Sequence, residues 1–353
     1  MIVLTTMRSD AQVIMLKTKI ALNEIPFKSS SQMIWPFLVH QKYDNDAEGL
    51  SMNPTSFSRE RLPASRNYPI DARVSESFHC AMAPILSVAQ IFGIFPISGV
   101  RASSPTKLHF KKFSFLTVYS TFIVIMTLFV TIISVAYMVK SLNADTFQAR
   151  GGITAATVGA VFYGNSLLGA ILFFRLSSRW MSFQCEWRAM EQYIDSNCAD
   201  GPRLRWKLFL ISAVVVLLAL IEHVLSMINN MEGYEWSGST NSTIRNFLRV
   251  YSLNSHSFIF DILDYNLVFG LHIFVISKVA TFTWNFTDIF IILISTGLAE
   301  RYKSLNKKLA STVTKNRSRF DWRELREDYA ILSSIVKKVD DEISPIIFLS
   351  FAN

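Results

Sequence analysis

The sequence has few cysteines and none of the residue combinations that define common enzyme classes. Three cysteines occur in 353 residues, Cys80, Cys185 and Cys198, and no two have C-x-x-C spacing. A disulfide framework, a metal site and a thiol redox motif therefore lack support. There is also no Walker-type loop, no H-E-x-x-H and no G-x-S-x-G. We therefore expect a protein that is not an enzyme and has no cofactor.

The N-terminus lacks the sustained apolar core and the small-residue cleavage site of a signal peptide. The chain is instead rich in apolar residues. Half of its residues are hydrophobic, 28 residues are Phe, and the mean hydropathy is +0.29. This composition predicts an all-α polytopic membrane protein. Because the basic residues flank apolar segments, the net charge of +8 is interpreted as membrane topology, with no nucleic-acid partner.

Four apolar segments are long enough to cross a bilayer, at 115–139, 153–174, 208–228 and 266–298. Lys and Arg are concentrated in the connections at 101–112, 175–207 and 301–319, which places these connections and the N-terminus inside the cell. Pro84, Gly93 and Pro96 interrupt a further apolar segment, which favours a re-entrant or interfacial structure. The expected organisation is a partly disordered cytosolic tail at 1–78, the re-entrant or interfacial segment at 79–112, spans one to four at 113–300, a cytosolic linker and amphipathic anchor helix at 301–342, and the start of a fifth span at 343–353.

The loop at 229–257 is expected to lie outside the cell. It contains the glycosylation sequon Asn241-Ser242-Thr243, so Asn241 is the predicted glycosylation site. Two further sequons begin at Asn285, within an apolar segment, and at Asn316, on the cytosolic side. We predict that neither is used.

Three extended segments are informative as a group. They are FHCAMAPILSVAQIFGIFPISGV (78–100), KVATFTWNFTDIFIILISTGLAERYKSLN (278–306) and WRELREDYAILSSIVKKVDDEISPIIFLSFAN (322–353). These segments resemble the insect gustatory receptor family, in particular its sugar-receptor branch. The resemblance implies the seven-helix insect chemoreceptor fold with an intracellular N-terminus, of which about four full spans and the start of a fifth are present here. The chain is therefore expected to be C-terminally truncated.

The resemblance also implies a function. It implies a ligand-gated, non-selective cation channel activated by sugars, assembled as a homo- or heterotetramer with other gustatory receptor subunits. Such a receptor is embedded in the lipid of the plasma membrane of a sensory neuron. The alternative is a non-conducting truncated fragment or accessory subunit of such a receptor.

The fourth apolar segment carries the main candidates for a ligand site, Trp284, Asn285 and Asp288. Recognition of a sugar requires polar groups that pair with hydroxyls and an aromatic face for the apolar side of the ring. The resemblance implies a ligand pocket among the outer halves of the helices, including the fourth. In the other interpretation Lys278 snorkels to the membrane surface, while Asn285 and Asp288 only bridge helices.

Other polar residues in the spans are further candidates. Glu222 and His223 lie near the outer end of the third span, and a carboxylate can accept from two sugar hydroxyls. An interfacial pair facing water is the alternative there. His272 and Asn266 lie on the outer side of the fourth segment and are also candidate ligand residues.

Two further pairs of residues favour interpretations other than sugar binding. Tyr163 and Asn165 in the second span favour hydrogen bonding between helices. His256 and Asp261 have the spacing of an acid–base pair found in some membrane acyltransferases. Such spacing arises easily by chance, and no companion motif follows it.

Overall fold

The structure of the protein is a computed structural model that describes residues 76–142, 152–195, 203–231, 243–314 and 322–352. These residues are almost entirely helical, and their only β-type pairing is an antiparallel bridge between Ser98 and His109. The helices are α1 (Phe78–Ile91), α2 (Phe115–Ser141), α3 (Gly152–Asp195), α4 (Leu204–Asn229), α5 (Thr243–Ser255), α6 (Ser257–Phe260), α7 (Leu267–Thr314) and α8 (Trp322–Ala352).

Four helices, α2, α3, α4 and α7, are long and apolar enough to cross a membrane. They coincide with the four apolar segments of the sequence. The prediction of an all-helical polytopic membrane protein is therefore confirmed. α1 has 14 residues, fewer than the ~20 that a crossing requires. Its placement at the membrane interface stays a prediction.

Two of the crossing helices extend well beyond their apolar parts. The predicted second span, 153–174, is the apolar part of α3, and the helix continues without a break to Asp195. Its extension is held by side chains at helical spacing that are fully buried, namely Trp180, Phe183, Trp187 and Ile194. α7 is one helix of 48 residues, as the charge pattern predicts, and at 1.5 Å per residue it is about 72 Å long.

The extensions of α3 and α7 pack against α1 and α8 to form the larger of two hydrophobic cores. Of the six residues that recur at helical spacing in 322–342, Tyr329 and Val336 are half-buried in α8 and the other four are buried. Leu325, Leu332, Ile335 and Val339 are buried there, and α8 then continues through Pro345 to Ala352. Two partly exposed ion pairs connect α8 to α3. They join Arg179 to Glu342 at 3.2 Å and Lys338 to Glu186.

A buried carboxylate lies at the centre of this core. Glu191 of α3 and Arg301 of α7 are each 1% exposed, and their side chains are 2.7 Å apart. The same carboxylate oxygen, Oε1, accepts hydrogen bonds from the backbone N–H of Phe78 at 2.9 Å and from Trp187 Nε1 at 3.1 Å. Its other oxygen accepts from Arg188 at 3.3 Å. Glu191 therefore joins the N-terminus of α1 to both long helices.

Two glycines of α3 allow close approach of neighbouring elements. A Cβ at Gly159 would lie 2.6 Å from the ring of Phe258, and one at Gly169 would lie 3.2 Å from Thr283. The small residues of the second span thus permit tight packing at these two positions. At Gly164 a Cβ would meet no atom within 4 Å, so close packing does not explain that glycine.

Candidate functional site

A group of polar and aromatic side chains lies among α3, α5 and α7, in the N-terminal half of α7. Ring contacts and a hydrogen bond link Tyr163 on α3, Tyr251 on α5, His256 at the start of α6 and Lys278 on α7. We call this group the Tyr163 cluster and include Ser252 of α5, whose backbone carbonyl accepts from the N–H of His256 at 3.0 Å. Lys278 is eleven residues into α7, about 16 Å from its start. The cluster borders the smaller hydrophobic core, which α2 also lines.

Lys278 is held by aromatic side chains of the cluster. Its Nζ donates to Tyr251 Oη at 2.8 Å and lies 4.5 Å from the centre of the Tyr251 ring. It also lies 4.6 Å from the centre of the Phe274 ring. Both positions are within cation–π range. The side chain therefore turns into the bundle, and the snorkelling interpretation does not describe it.

Two hydroxyls of the cluster are buried without a hydrogen-bond partner among the described residues. Tyr163 Oη belongs to a side chain that is 1% exposed, and Ser252 Oγ to one that is fully buried. A buried polar group without a partner costs about 1–3 kcal/mol. Ordered water or a bound ligand normally satisfies such a group. The sequence predicts a helix-to-helix hydrogen bond for Tyr163, and the structure does not show one.

The imidazole of His256 is enclosed by aromatic rings. Its ring centre lies 6.2 Å from that of Tyr163 and 6.0 Å from that of Tyr251. Burial, and then the nearby charge of Lys278, lower the pKa of His256 to about 4. The ring is therefore neutral at physiological pH. Asp261 is exposed while His256 is buried, so the acid–base pair considered for an acyltransferase has no support.

Trp284, six residues beyond Lys278 on α7, continues the row of aromatic rings. Its ring centre lies 5.8 Å from that of Phe162, which lies 5.0 Å from that of Tyr163. Asn285 is turned back on its own helix, with Nδ2 donating to the carbonyl of Thr281 at 2.9 Å. Of these two candidates, only Trp284 is connected through ring contacts to the cluster.

Asp288 makes a contact to a different helix. Its Oδ1 accepts a hydrogen bond from Ser350 Oγ near the end of α8. Asp288 lies ten residues beyond Lys278, about 15 Å along the axis of α7. This contact is the one that the helix-bridging interpretation of Asp288 predicts.

The remaining candidates lie on α4 and at the beginning of α7. Glu222 and His223 are half-buried on α4, and His223 Nε2 has no partner among the described residues. The ring centre of His272 lies 6.1 Å from that of Phe129, among aromatic side chains. Asn266 is exposed and caps α7, because its Oδ1 accepts from the N–H of Val268 at 3.0 Å. The predicted ligand residues on α7 extend from Asn266 to Asp288, about 33 Å along the helix axis.

Tyr251 and Ser252 are absent from the sequence-based candidates, because they lie in the segment assigned to an outer loop. The sequence signal for a helix there is limited to two residues, Leu248 and Tyr251, at a spacing of three. Both are buried in the structure. Asn241, the predicted glycosylation site, lies outside the described residues.

Four membrane-crossing helices with a polar, aromatic cluster between them define a polytopic helical membrane protein with an internal candidate site. The sequence model of the trehalose receptor family matches residues 54–353. The chain belongs to this family, and the resemblance to sugar-sensing gustatory receptors is confirmed.

Curated relatives come from Drosophila melanogaster. The chain is 27% identical over 300 residues to "Gustatory receptor for sugar taste 64a", an alignment that covers 83% of this chain and 62% of that protein. It is 25% identical over 279 residues to "Gustatory receptor 5a for trehalose", covering 78% and 60%. The chain thus spans about three fifths of the length of these relatives.

Proposed function

We propose that this chain is a sugar-sensing gustatory receptor subunit, embedded as a multi-pass protein in the plasma membrane of a sensory neuron. The observation that carries the proposal is membership of the trehalose receptor family, together with relatives whose names specify sugar taste and trehalose. The active form is a tetramer that contains this subunit and acts as a ligand-gated, non-selective cation channel. Its N-terminus is intracellular.

The Tyr163 cluster is the proposed sugar site. A sugar presents hydroxyls around the edge of its ring and an apolar face of C–H groups. The hydroxyls of Tyr163 and Ser252 are buried and lack partners among the described residues, and Lys278 adds a charged donor. The rings of Tyr251 and Trp284 supply apolar faces. A sugar between them would satisfy the two hydroxyls while it covers the rings.

Sugar binding controls the channel only if the sugar binds its open arrangement more tightly than its closed one. The cluster joins three elements, α3, α5 and α7. A ligand that bridges Tyr163 and Lys278 favours whichever spacing of these helices allows both contacts. We propose that this spacing belongs to the open state.

Removal of one hydroxyl tests the site. Tyr163→Phe deletes an unpartnered buried hydroxyl, so the protein should fold and reach the surface normally. If that hydroxyl pairs with sugar, the loss is about 1 kcal/mol or more. The trehalose concentration for half-maximal current should therefore rise about fivefold or more. The measurement is whole-cell current in cells that express the chain with a full-length relative.

Tyr119→Phe is the matched control for this experiment. Its hydroxyl is already paired, since it donates to the carbonyl of Ile91 at 2.8 Å, and it is not part of the cluster. Its loss should therefore leave the trehalose response unchanged. A normal dose response from Tyr163→Phe would reject the site. Sugar-evoked current from cells that express only this chain would identify a conducting subunit. No current from this chain by itself, together with an altered current when it is expressed with the relative, would indicate an accessory subunit.

A further inference from the structure

The segment between α1 and α2 carries positive charge without negative charge. We call residues 98–112 the basic loop. Its cations are all exposed; they are Arg101, Lys107, Lys111 and Lys112. The sequence contains no Asp or Glu between Glu76 and Asp145. Within the described part of the chain, no ion pair joins any of these cations to a carboxylate.

The basic loop is closed on itself. The backbones of Ser98 and His109 exchange two hydrogen bonds, at 3.0 and 3.1 Å. Gly99 has a positive φ of 86°, and a Cβ there would lie 2.2 Å from the carbonyl oxygen of Lys107. The turn can therefore close this tightly only with glycine at that position. Leu108 is buried beneath the loop.

Side-chain contacts fix the closed loop to α1. His79 Nε2 lies 2.9 Å from the carbonyl oxygen of Ala102, and Arg101 Nε donates to Ser87 Oγ at 3.0 Å. The cations are thus displayed on a supported surface, and less conformational entropy is lost when they bind a partner than on a free tail.

The loop also lies at the level where a membrane-crossing helix begins. α2 starts at Phe115, three residues after Lys112, and its N-terminal approach exposes two aromatic rings. Phe113 is 96% exposed and Phe115 is 83% exposed. Aromatic side chains next to basic ones are typical of the interface between headgroups and acyl chains.

We propose that the basic loop binds the headgroups of anionic phospholipids, with Phe113 and Phe115 inserted among the adjoining acyl chains. Unpaired lysines beside a crossing helix match the charge of such lipids. The exposed rings favour a lipid over a soluble anion, because only a lipid supplies an apolar surface next to its phosphate. In the proposed topology these lipids belong to the cytosolic leaflet. The proposal does not depend on sugar binding.

The test compares two charge-matched triple variants of the full chain. One carries Lys107→Gln, Lys111→Gln and Lys112→Gln. The control carries Lys140→Gln, Arg245→Gln and Arg249→Gln, which removes three exposed cations from the opposite side in the proposed topology. Purified proteins are placed in nanodiscs that mix phosphatidylcholine with phosphatidylserine, and the lipid retained on extraction into detergent is counted by native mass spectrometry.

Each lysine near an anionic membrane contributes about 1 kcal/mol, or about fivefold in affinity. The wild type and the control should retain phosphatidylserine in preference to phosphatidylcholine. In the loop variant the ratio of retained phosphatidylserine to phosphatidylcholine should fall at least tenfold. A Lys→Arg version of the loop variant should keep it, which shows that folding is intact. High salt should weaken the preference. Equal retention by the loop variant and the control would overturn the proposal.

Discussion

Glu191→Ala should lower the free energy of unfolding by about 3–5 kcal/mol, the range measured when one partner of a buried ion pair is removed. Both Glu191 and Arg301 are 1% exposed, so bulk solvent does not reach the charge that is left behind. The substitution leaves the guanidinium of Arg301 buried next to apolar side chains. It also removes the acceptor for the Phe78 N–H and for Trp187 Nε1.

The assay is the fraction of detergent-solubilised protein that remains monodisperse after heating, followed by fluorescence-detected size exclusion. Glu186→Ala is the matched control on the same helix. Glu186 is 46% exposed in its pair with Lys338, and surface pairs contribute about 0–1 kcal/mol. Its substitution should therefore change only slightly the temperature at which half of the protein remains monodisperse.

A double substitution separates loss of charge balance from loss of packing. Glu191→Leu with Arg301→Met replaces both charges by apolar groups, and such replacements are often neutral or stabilising. The double variant should therefore be more stable than Glu191→Leu alone. The reasoning is refuted if Glu191→Ala melts no earlier than Glu186→Ala, or if Arg301→Met fails to improve Glu191→Leu.

Two further predictions concern the proposed sugar site. The pKa of His256 is about 4 in the folded protein and about 6.5 in the unfolded chain. Between these pH values the unfolded state binds more protons than the folded state. The free energy of unfolding therefore falls as the pH drops below 6.5. At about pH 5 the loss should be about 2 kcal/mol relative to neutral pH, and His256→Gln should lose this pH dependence in a thermal melt. Trp284→Ala should abolish sugar-evoked current while surface labelling stays normal. Trp206→Ala, at a 64% exposed position on α4, should leave the current intact, and wild-type dose responses from Trp284→Ala would remove that residue from the site.

Charge and hydropathy predicted the helices that cross the membrane well. The run from 266 to 298 was predicted as one helix because a second crossing would reverse the side of the basic cluster that follows it, and α7 is a single helix. For the second span the sequence predicts the apolar part of the helix and not its full length. Hydropathy falls after residue 174, but the helix continues because Trp180 and Trp187 are buried against other elements. The helical spacing of these residues with Phe183 and Ile194 is present in the sequence, whereas the elements that bury them are not.

The candidate site was predicted less completely. Trp284 was identified from its unusual position in an apolar run, and the structure connects it to the Tyr163 cluster. Asp288 was identified for the same reason, yet its contact is to Ser350, 62 residues away. The Glu191–Arg301 pair is separated by 110 residues. Both contacts depend on how helices are arranged in space, and spacing along the chain does not determine that.

The unbroken length of α7 has a mechanical consequence. From Lys278 to Lys308 the helix extends for about 45 Å at 1.5 Å per residue, and the chain contains no proline in this stretch. A rigid tilt of about 5° centred on Lys278 would displace the position of Lys308 by about 4 Å over that length. There Lys308 is paired with the buried Asp328 of α8 at 2.7 Å, so α8 receives the displacement. α7 therefore has the geometry of a lever, with its pivot at the Tyr163 cluster and its long arm ending at the contact with α8.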